Sequence, residues 1–86
     1  MKIWAKVIKE DKILLDTVME FNRQLSYNNF VKSLNEICLK LDIPTPITLN
    51  YHYKCFDEFN SVKYLAEEFI ERVDFTSLVL ENCIEK

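Results

Sequence analysis

The chain of 86 residues contains no glycine, whereas a protein of this length contains about six on average. Glycine adopts positive φ at no steric cost, so turns and helix ends that need a left-handed backbone must use Asn, Asp or strained residues. Loops of the GxxxxGK[ST] and GxGxxG types hold phosphate with residues that lack a Cβ. The sequence therefore excludes both kinds of nucleotide-binding loop. The overall residue usage, rich in Lys, Ile and Asn, is typical of an AT-rich genome.

Length and composition predict one soluble domain over residues 1–86. Hydrophobic residues make up 49% and charged residues 29% of the chain, as in globular proteins. No apolar run approaches the roughly 18 residues of a membrane span, and the start lacks the apolar block of a signal peptide. The three cysteines include no CxxC pair and indicate reduced thiols. We therefore expect a cytoplasmic protein without a membrane partner.

The net charge of −3 is concentrated in the second half of the chain. Proteins that bind duplex nucleic acid need a basic stripe that displaces counterions from the phosphates. An acidic chain with few arginines does not supply one. We therefore expect no nucleic-acid partner.

The first element is predicted to be a β-hairpin with strands at residues 2–9 and 13–21. Its register follows from pairing residues whose numbers sum to 22, which matches apolar and charged partners on both faces at once. The pairs are Ile3 with Met19, Ala5 with Thr17 and Val7 with Leu15 on one face, and Lys2 with Glu20, Trp4 with Val18, Lys6 with Asp16 and Ile8 with Leu14 on the other. The loop would be Glu10-Asp11-Lys12, with Lys12, or as second choice Asp11, at positive φ.

Two helices are predicted to follow the hairpin. Apolar residues recur at helical spacing from Tyr27 to Leu41, with Ser26 as the N-cap and an end near Asp42 before Pro44. A second helix would begin at a Thr48 cap and end at Phe59. Residues 62–64 could form a short strand, residues 66–72 a helical turn, and residues 78–84 a final strand. The fold class is therefore α+β, with a small antiparallel sheet packed on one side by helices.

Several short segments are distributed over most of the chain, namely Pro44-Thr45-Pro46, Leu49, His52, Phe56, Phe59, Phe69-Ile70-Glu71, Val73-Asp74-Phe75 and Leu78. Together these segments resemble a group of small uncharacterised proteins from Firmicutes. The N-terminus of these proteins similarly begins with a Lys-Ile-Trp-Ala-Lys type of strand. The resemblance implies a compact bacterial domain and carries no activity for any residue.

His52 and Cys55 are the candidate catalytic pair. They lie three residues apart, which on a helix brings an imidazole and a thiol to neighbouring positions of one face. A histidine beside a cysteine favours the nucleophilic thiolate. The alternative is that Cys55 is a small core residue and that the tip of His52 reaches the backbone or solvent. With one histidine and no ligand pair of the usual spacing, the chain predicts no metal site and no cofactor.

The acidic residues of the second half form a candidate acidic patch, which comprises Asp57, Glu58, Glu67, Glu68, Glu71 and Asp74. Such a group could dock a basic protein, or it could be a solvated face that keeps the protein soluble. Paired-carboxylate and calcium chemistry require a geometry that this spacing does not define.

A candidate interaction surface lies on the hairpin face opposite the helices, at Trp4, Ile8, Leu14 and Val18. A solvated sheet face does not normally carry a Trp among three aliphatic residues. Either the segment after Asn60 folds over this face, or the face contacts a protein partner, such as a second copy of the chain. The sequence thus favours a non-enzymatic interaction module, with a thiol-dependent enzyme and an acidic regulator as alternatives.

Overall fold

The computed structural model describes residues 1–83 of the chain. The elements in chain order are β1 (Lys2–Lys9), β2 (Lys12–Glu20), α1 (Tyr27–Leu41), α2 (Asn50–Phe59), β3 (Ser61–Leu65), a one-turn 3₁₀ helix (Ala66–Glu68) and β4 (Ser77–Asn82). The strands form one antiparallel sheet in the order β2-β1-β4-β3. The predicted α+β class is confirmed. Ile84, predicted in the last strand, lies outside the described residues.

One hydrophobic core lies between the sheet and the two helices. Alternate residues of β1 point into it, and Ile3, Ala5 and Val7 are almost fully buried. The other strands and the helices complete the core with Leu78, Leu80, Val62, Tyr64, Phe30, Leu34, Ile37, Cys38 and Phe56. The opposite face of the sheet carries the other residues of each strand, as the two-residue period of a strand requires.

The hairpin register is confirmed from Lys2 to Val7 and is wrong beyond Val7. Ile8 lies opposite Ile13 rather than Leu14, because a β-bulge shifts the register after Val7. The loop is therefore two residues long, and Lys12 pairs with Lys9. Both loop residues have positive φ, 50° for Glu10 and 67° for Asp11, as a type I′ turn requires. The prediction of Lys12 at positive φ is wrong, and the second choice, Asp11, is correct.

This turn leads to a prediction about stability. Type I′ turns strongly favour Asn-Gly at the two central positions, since other L-residues are strained there. We expect Glu10→Asn combined with Asp11→Gly to raise the free energy of unfolding by about 1 kcal/mol. Urea denaturation measures the change, and Glu67→Gln with Glu71→Gln is the control that removes the same charge elsewhere. A stability unchanged relative to this control would contradict the prediction.

Helix α1 matches its predicted bounds. The Ser26 hydroxyl accepts a hydrogen bond from the Asn29 N–H at 3.2 Å, which is the N-cap interaction predicted for it. Asp42 ends the helix in the left-handed conformation, with φ 57°. In a chain without glycine, the C-cap positions of both helices fall to Asp42 and Asn60, short polar residues that tolerate this conformation.

Helix α2 begins one residue later than predicted. Leu49, not Thr48, occupies the N-cap position, and a leucine side chain cannot accept a hydrogen bond from the backbone. The Thr48 hydroxyl instead lies 2.9 Å from the Tyr64 hydroxyl. His52 completes the cap, because its Nδ1 accepts a hydrogen bond from the Leu49 N–H at 2.9 Å. His52 therefore takes the role of the N3 residue of a capping box, the third residue of the helix.

Candidate functional site

The sheet face opposite the helices is open in the part of the chain that the structure describes. The segment after Asn60 does not fold over this face, because β3 and β4 lie beside β1 and widen the sheet. Leu14 and Val18 are 53% and 50% exposed, and Trp4 and Ile8 are half-buried. The predicted intramolecular cover is therefore wrong for residues 61–83. We call these four residues, Trp4, Ile8, Leu14 and Val18, the hairpin surface.

Polar contacts hold Trp4 on this face. Its indole Nε1 donates a hydrogen bond to Asp16 at 3.0 Å, and the ammonium of Lys6 lies 4.2 Å from the centre of the ring, within range of a cation–π interaction. Lys6 lies opposite Asp16 in the register, yet its ion pair is with Glu81 of β4 at 2.7 Å. The predicted ion pair of Lys6 with Asp16 is therefore wrong, and Asp16 instead accepts a hydrogen bond from Trp4.

Strand β2 is exposed on both of its faces, which the sequence analysis missed. Leu15 was predicted to lie under the helices, but its side chain is 48% exposed, and Ile13 is equally accessible. Met19, at the other end of the strand, packs against the core. The helices therefore cover only the Met19 end of β2. The run Ile13-Leu14-Leu15 was the available signal, because consecutive aliphatic residues break the alternation of a strand with one buried face.

His52 is buried and lies at the centre of a polar cluster whose other hydrogen-bonded side chains, Tyr51 and Glu68, are partly exposed. Its ring is stacked on the ring of Tyr64, with a centroid separation of 4.4 Å, and its centroid lies 4.0 Å from that of the tilted Tyr51 ring. Since Nδ1 accepts the Leu49 N–H, the proton resides on Nε2, which donates to Glu68 at 2.5 Å. Both ring nitrogens are thus satisfied inside the protein.

Glu68 joins this cluster from the 3₁₀ helix. Its Oε2 accepts hydrogen bonds from the Tyr51 hydroxyl and from His52, and its Oε1 accepts one from the Leu65 N–H at 3.0 Å. Burial acts to raise the pKa of the Glu68 carboxyl, but these three hydrogen bonds outweigh it and hold that pKa below its usual value. The same carboxylate raises the pKa of the Tyr51 hydroxyl. The cluster therefore favours an ionised Glu68.

The candidate catalytic pair is not connected by a hydrogen bond. His52 is 1% exposed and both of its nitrogens are occupied, whereas Cys55 is half-buried and packs against the core. A general base needs a free nitrogen within reach of the nucleophile. In this arrangement His52 has none to offer to Cys55. The other helical thiol, Cys38, is inert, because burial raises its pKa to about 11 against an opposing hydrogen bond with Thr45.

The candidate acidic residues do not act as one group. Glu68 belongs to the His52 cluster, and Asp74 forms an ion pair with Lys9 at 3.2 Å. The remaining four, Asp57, Glu58, Glu67 and Glu71, are exposed on α2 and on the segment between β3 and β4. Within residues 1–83, no group of three or more His, Cys, Asp or Glu side chains could hold a metal ion.

A shallow groove of about 360 Å³ lies between α1 and the connector before α2. Its lining includes Tyr27, Val31, Lys32 and Pro46. Neither His52 nor Cys55 contributes to it, so the groove provides no substrate site for the candidate catalytic pair.

No family model, curated protein or solved structure matches the chain. The resemblance to small Firmicutes proteins therefore stays a prediction. Of the helices among the described residues, none has the length and apolar character needed to cross a membrane.

Proposed function

We propose that the chain is a non-enzymatic protein-interaction domain that binds through its hairpin surface. The observation that carries this proposal is the exposure of Leu14 and Val18 on a sheet face that no described segment covers. Contiguous exposed apolar side chains on a small protein are typical of interaction sites. Trp4 adds a large aromatic side chain, of the kind enriched where interfaces gain most of their energy.

The two alternative functions have less support from the geometry. A thiol-dependent enzyme would need His52 to act on Cys55, but the nitrogens of His52 are engaged by Leu49 and Glu68. An acidic regulator would need a continuous patch, but Glu68 and Asp74 are bound to partners within the chain. By contrast, the exposed side chains of the hairpin surface could contact a partner without breaking a contact within the chain.

Site-specific photo-crosslinking in the native cells tests the proposed function. We expect a benzophenone amino acid at position 18 to give protein adducts, because Val18 would lie inside the interface. The same probe at position 40 is the control, since Lys40 is exposed on α1 and is not part of the hairpin surface. Equal or absent adducts at the two positions would contradict an interaction function for this surface.

A further inference from the structure

We propose that the free edge of β2 binds an extended segment of a partner protein, which adds to the sheet as an antiparallel strand with basic residues opposite Asp16 and Glu20. This inference rests on the proposed interaction function and names the chemistry of the partner. The edge is free among the described residues, because β2 is the outermost strand in the order β2-β1-β4-β3.

The exposure of β2 favours a partner at its edge over a partner on its open face. Val18 lies on the open face and Leu15 lies on the helix side, and both side chains are about half exposed. A molecule packed on the open face would leave Leu15 in water. A strand added at the edge contacts residues of both faces, because cross-strand neighbours touch each other on each side of a sheet.

The backbone of β2 offers hydrogen bonds to such a strand over one short segment. The Phe21 N–H donates to the Met1 carbonyl at 2.6 Å, and the Met1 ammonium donates to the Phe21 carbonyl at 2.8 Å. Hydrogen-bonded and non-hydrogen-bonded pairs alternate along an antiparallel ladder. The N–H and C=O groups of Asp16, Val18 and Glu20 therefore point away from β1, toward the free edge. The β-bulge near the turn changes this phase, so the pairing segment runs from Asp16 to Glu20.

Two carboxylates on this segment determine the charge of the partner. Asp16 and Glu20 are exposed and lie on the open face, on either side of Val18. Asp16 lies opposite Lys6, but the Lys6 ammonium is paired with Glu81. Within residues 1–83, neither Asp16 nor Glu20 forms an ion pair. Both carboxylates are therefore available to cations on a strand at the free edge.

Strand β1 shows which residues fit opposite this segment. On the open face it places a basic, an aromatic and a second basic residue against β2, in the pairs Lys2 with Glu20, Trp4 with Val18 and Lys6 with Asp16. A strand on the other side of β2 meets the same three β2 side chains. Cross-strand pairs of opposite charge, and of an aromatic with a β-branched residue, stabilise a sheet. We therefore expect the partner segment to carry two basic residues four positions apart, with an apolar residue midway between them.

A labelled synthetic peptide tests the charge of the partner. In the antiparallel register, the sequence KTWTKVT places its lysines opposite Glu20 and Asp16 and its tryptophan opposite Val18. We expect fluorescence anisotropy at low ionic strength to give a Kd below about 200 μM. Glu20→Lys, or glutamate in place of the first peptide lysine, should weaken binding at least about threefold, and combining the two changes should restore it. Glu67→Lys is the matched control and should leave the Kd nearly unchanged. Circular dichroism confirms that each variant is folded.

Methylation of the peptide backbone distinguishes strand pairing from charge attraction alone. The tryptophan N–H of the peptide points toward the Val18 carbonyl in the proposed register, whereas the N–H of the following threonine points away from β2. An N-methyl group on the tryptophan should weaken binding at least about tenfold, because it removes a hydrogen bond and holds the strands apart. An N-methyl group on that threonine should change the Kd little.

The outcomes separate this inference from the proposed function. No binding at about 1 mM peptide, or equal losses from the two methylations, would overturn pairing at the β2 edge. Val79→Glu on the open face should preserve peptide binding, and its loss would place the peptide on that face instead. A dimer of the chain that the peptide dissociates in sedimentation equilibrium would identify a second copy as the occupant and contradict the basic segment. Crosslinks at position 18 without peptide binding would support the interaction function and reject this partner chemistry. Peptide binding without such crosslinks would support the edge pairing and reject the function in cells.

Discussion

Replacing His52 by alanine is expected to lower the free energy of unfolding by about 3 kcal/mol. The substitution removes a side chain that is 1% exposed and packed against two tyrosine rings, and a cavity remains in its place. It also leaves the Leu49 N–H without its acceptor and Glu68 without one of its donors. Unpaired polar groups in a partly buried setting add to the loss of packing.

A graded series of variants separates these contributions. His52→Gln can still accept the Leu49 N–H, because glutamine at this helix position forms a capping box, but it loses the aromatic stacking. Urea denaturation should therefore rank the wild type above His52→Gln and His52→Gln above His52→Ala. Lys54→Ala, at an exposed position of the same helix, should change stability little. If His52→Ala were no less stable than Lys54→Ala, the structural role of the cluster would be wrong.

This structural role explains why the sequence pattern of His52 and Cys55 was ambiguous. Their spacing on a helix is compatible with a catalytic pair, but it does not tell which groups the imidazole nitrogens reach. The partners come from Leu49, before the helix, and from Glu68, sixteen residues later. The local half of this arrangement depends on the N-cap, because His52 stands three residues after the observed cap Leu49 but four residues after the predicted cap Thr48. The contact with Glu68 depends on how β3 and the 3₁₀ helix return along α2, which no local pattern defines.

The hairpin shows a similar division between local and distant causes. Charge and apolar matching predicted the pairs from Lys2 to Val7, because a one-residue slip would invert both faces of the strand. The turn was harder to predict from the sequence. A two-residue loop with the strained pair Glu10-Asp11 competes with a three-residue loop that needs only one left-handed residue. The bulge after Val7 reconciles the shorter loop with the predicted register. The structure thus places two non-glycine residues at positive φ within one turn.

The exposure of the hairpin depended on a choice that the sequence left open. The segment after Asn60 contains alternating apolar residues, which fit either a layer over the open face or further strands in the sheet. Leu78 and Leu80 of β4 are fully buried on the helix side, so this segment completes the core beside β1. As a consequence, β2 becomes an edge strand, with Ile13, Leu14, Leu15 and Val18 accessible to a partner.

The second large effect is expected from Glu68→Gln, which should destabilise the protein by about 2 kcal/mol at neutral pH. The ionised carboxylate accepts hydrogen bonds from Tyr51, His52 and Leu65. A glutamine has a single side-chain oxygen, and its NH₂ group would face one of these donors. Hydrogen bonds to a charged acceptor are stronger than those to a neutral one, so the loss exceeds that of an ordinary surface substitution.

The pH dependence of this effect has a definite sign. The pKa of Glu68 is lower in the folded protein than its usual value, so the folded state favours the ionised form. The stability that it contributes is fully present above the unfolded-state pKa of about 4.3 and is lost as the pH falls through the lower folded-state pKa. The difference in unfolding free energy between the wild type and Glu68→Gln should therefore be constant from about pH 6 to 7 and should shrink below about pH 4. Glu67→Gln removes the neighbouring exposed charge, and its unfolding free energy should differ little from that of the wild type over the whole pH range. A gap between the wild type and Glu68→Gln that widens on acidification would mean that the folded protein favours the protonated carboxyl, contrary to the hydrogen bonds that Glu68 accepts.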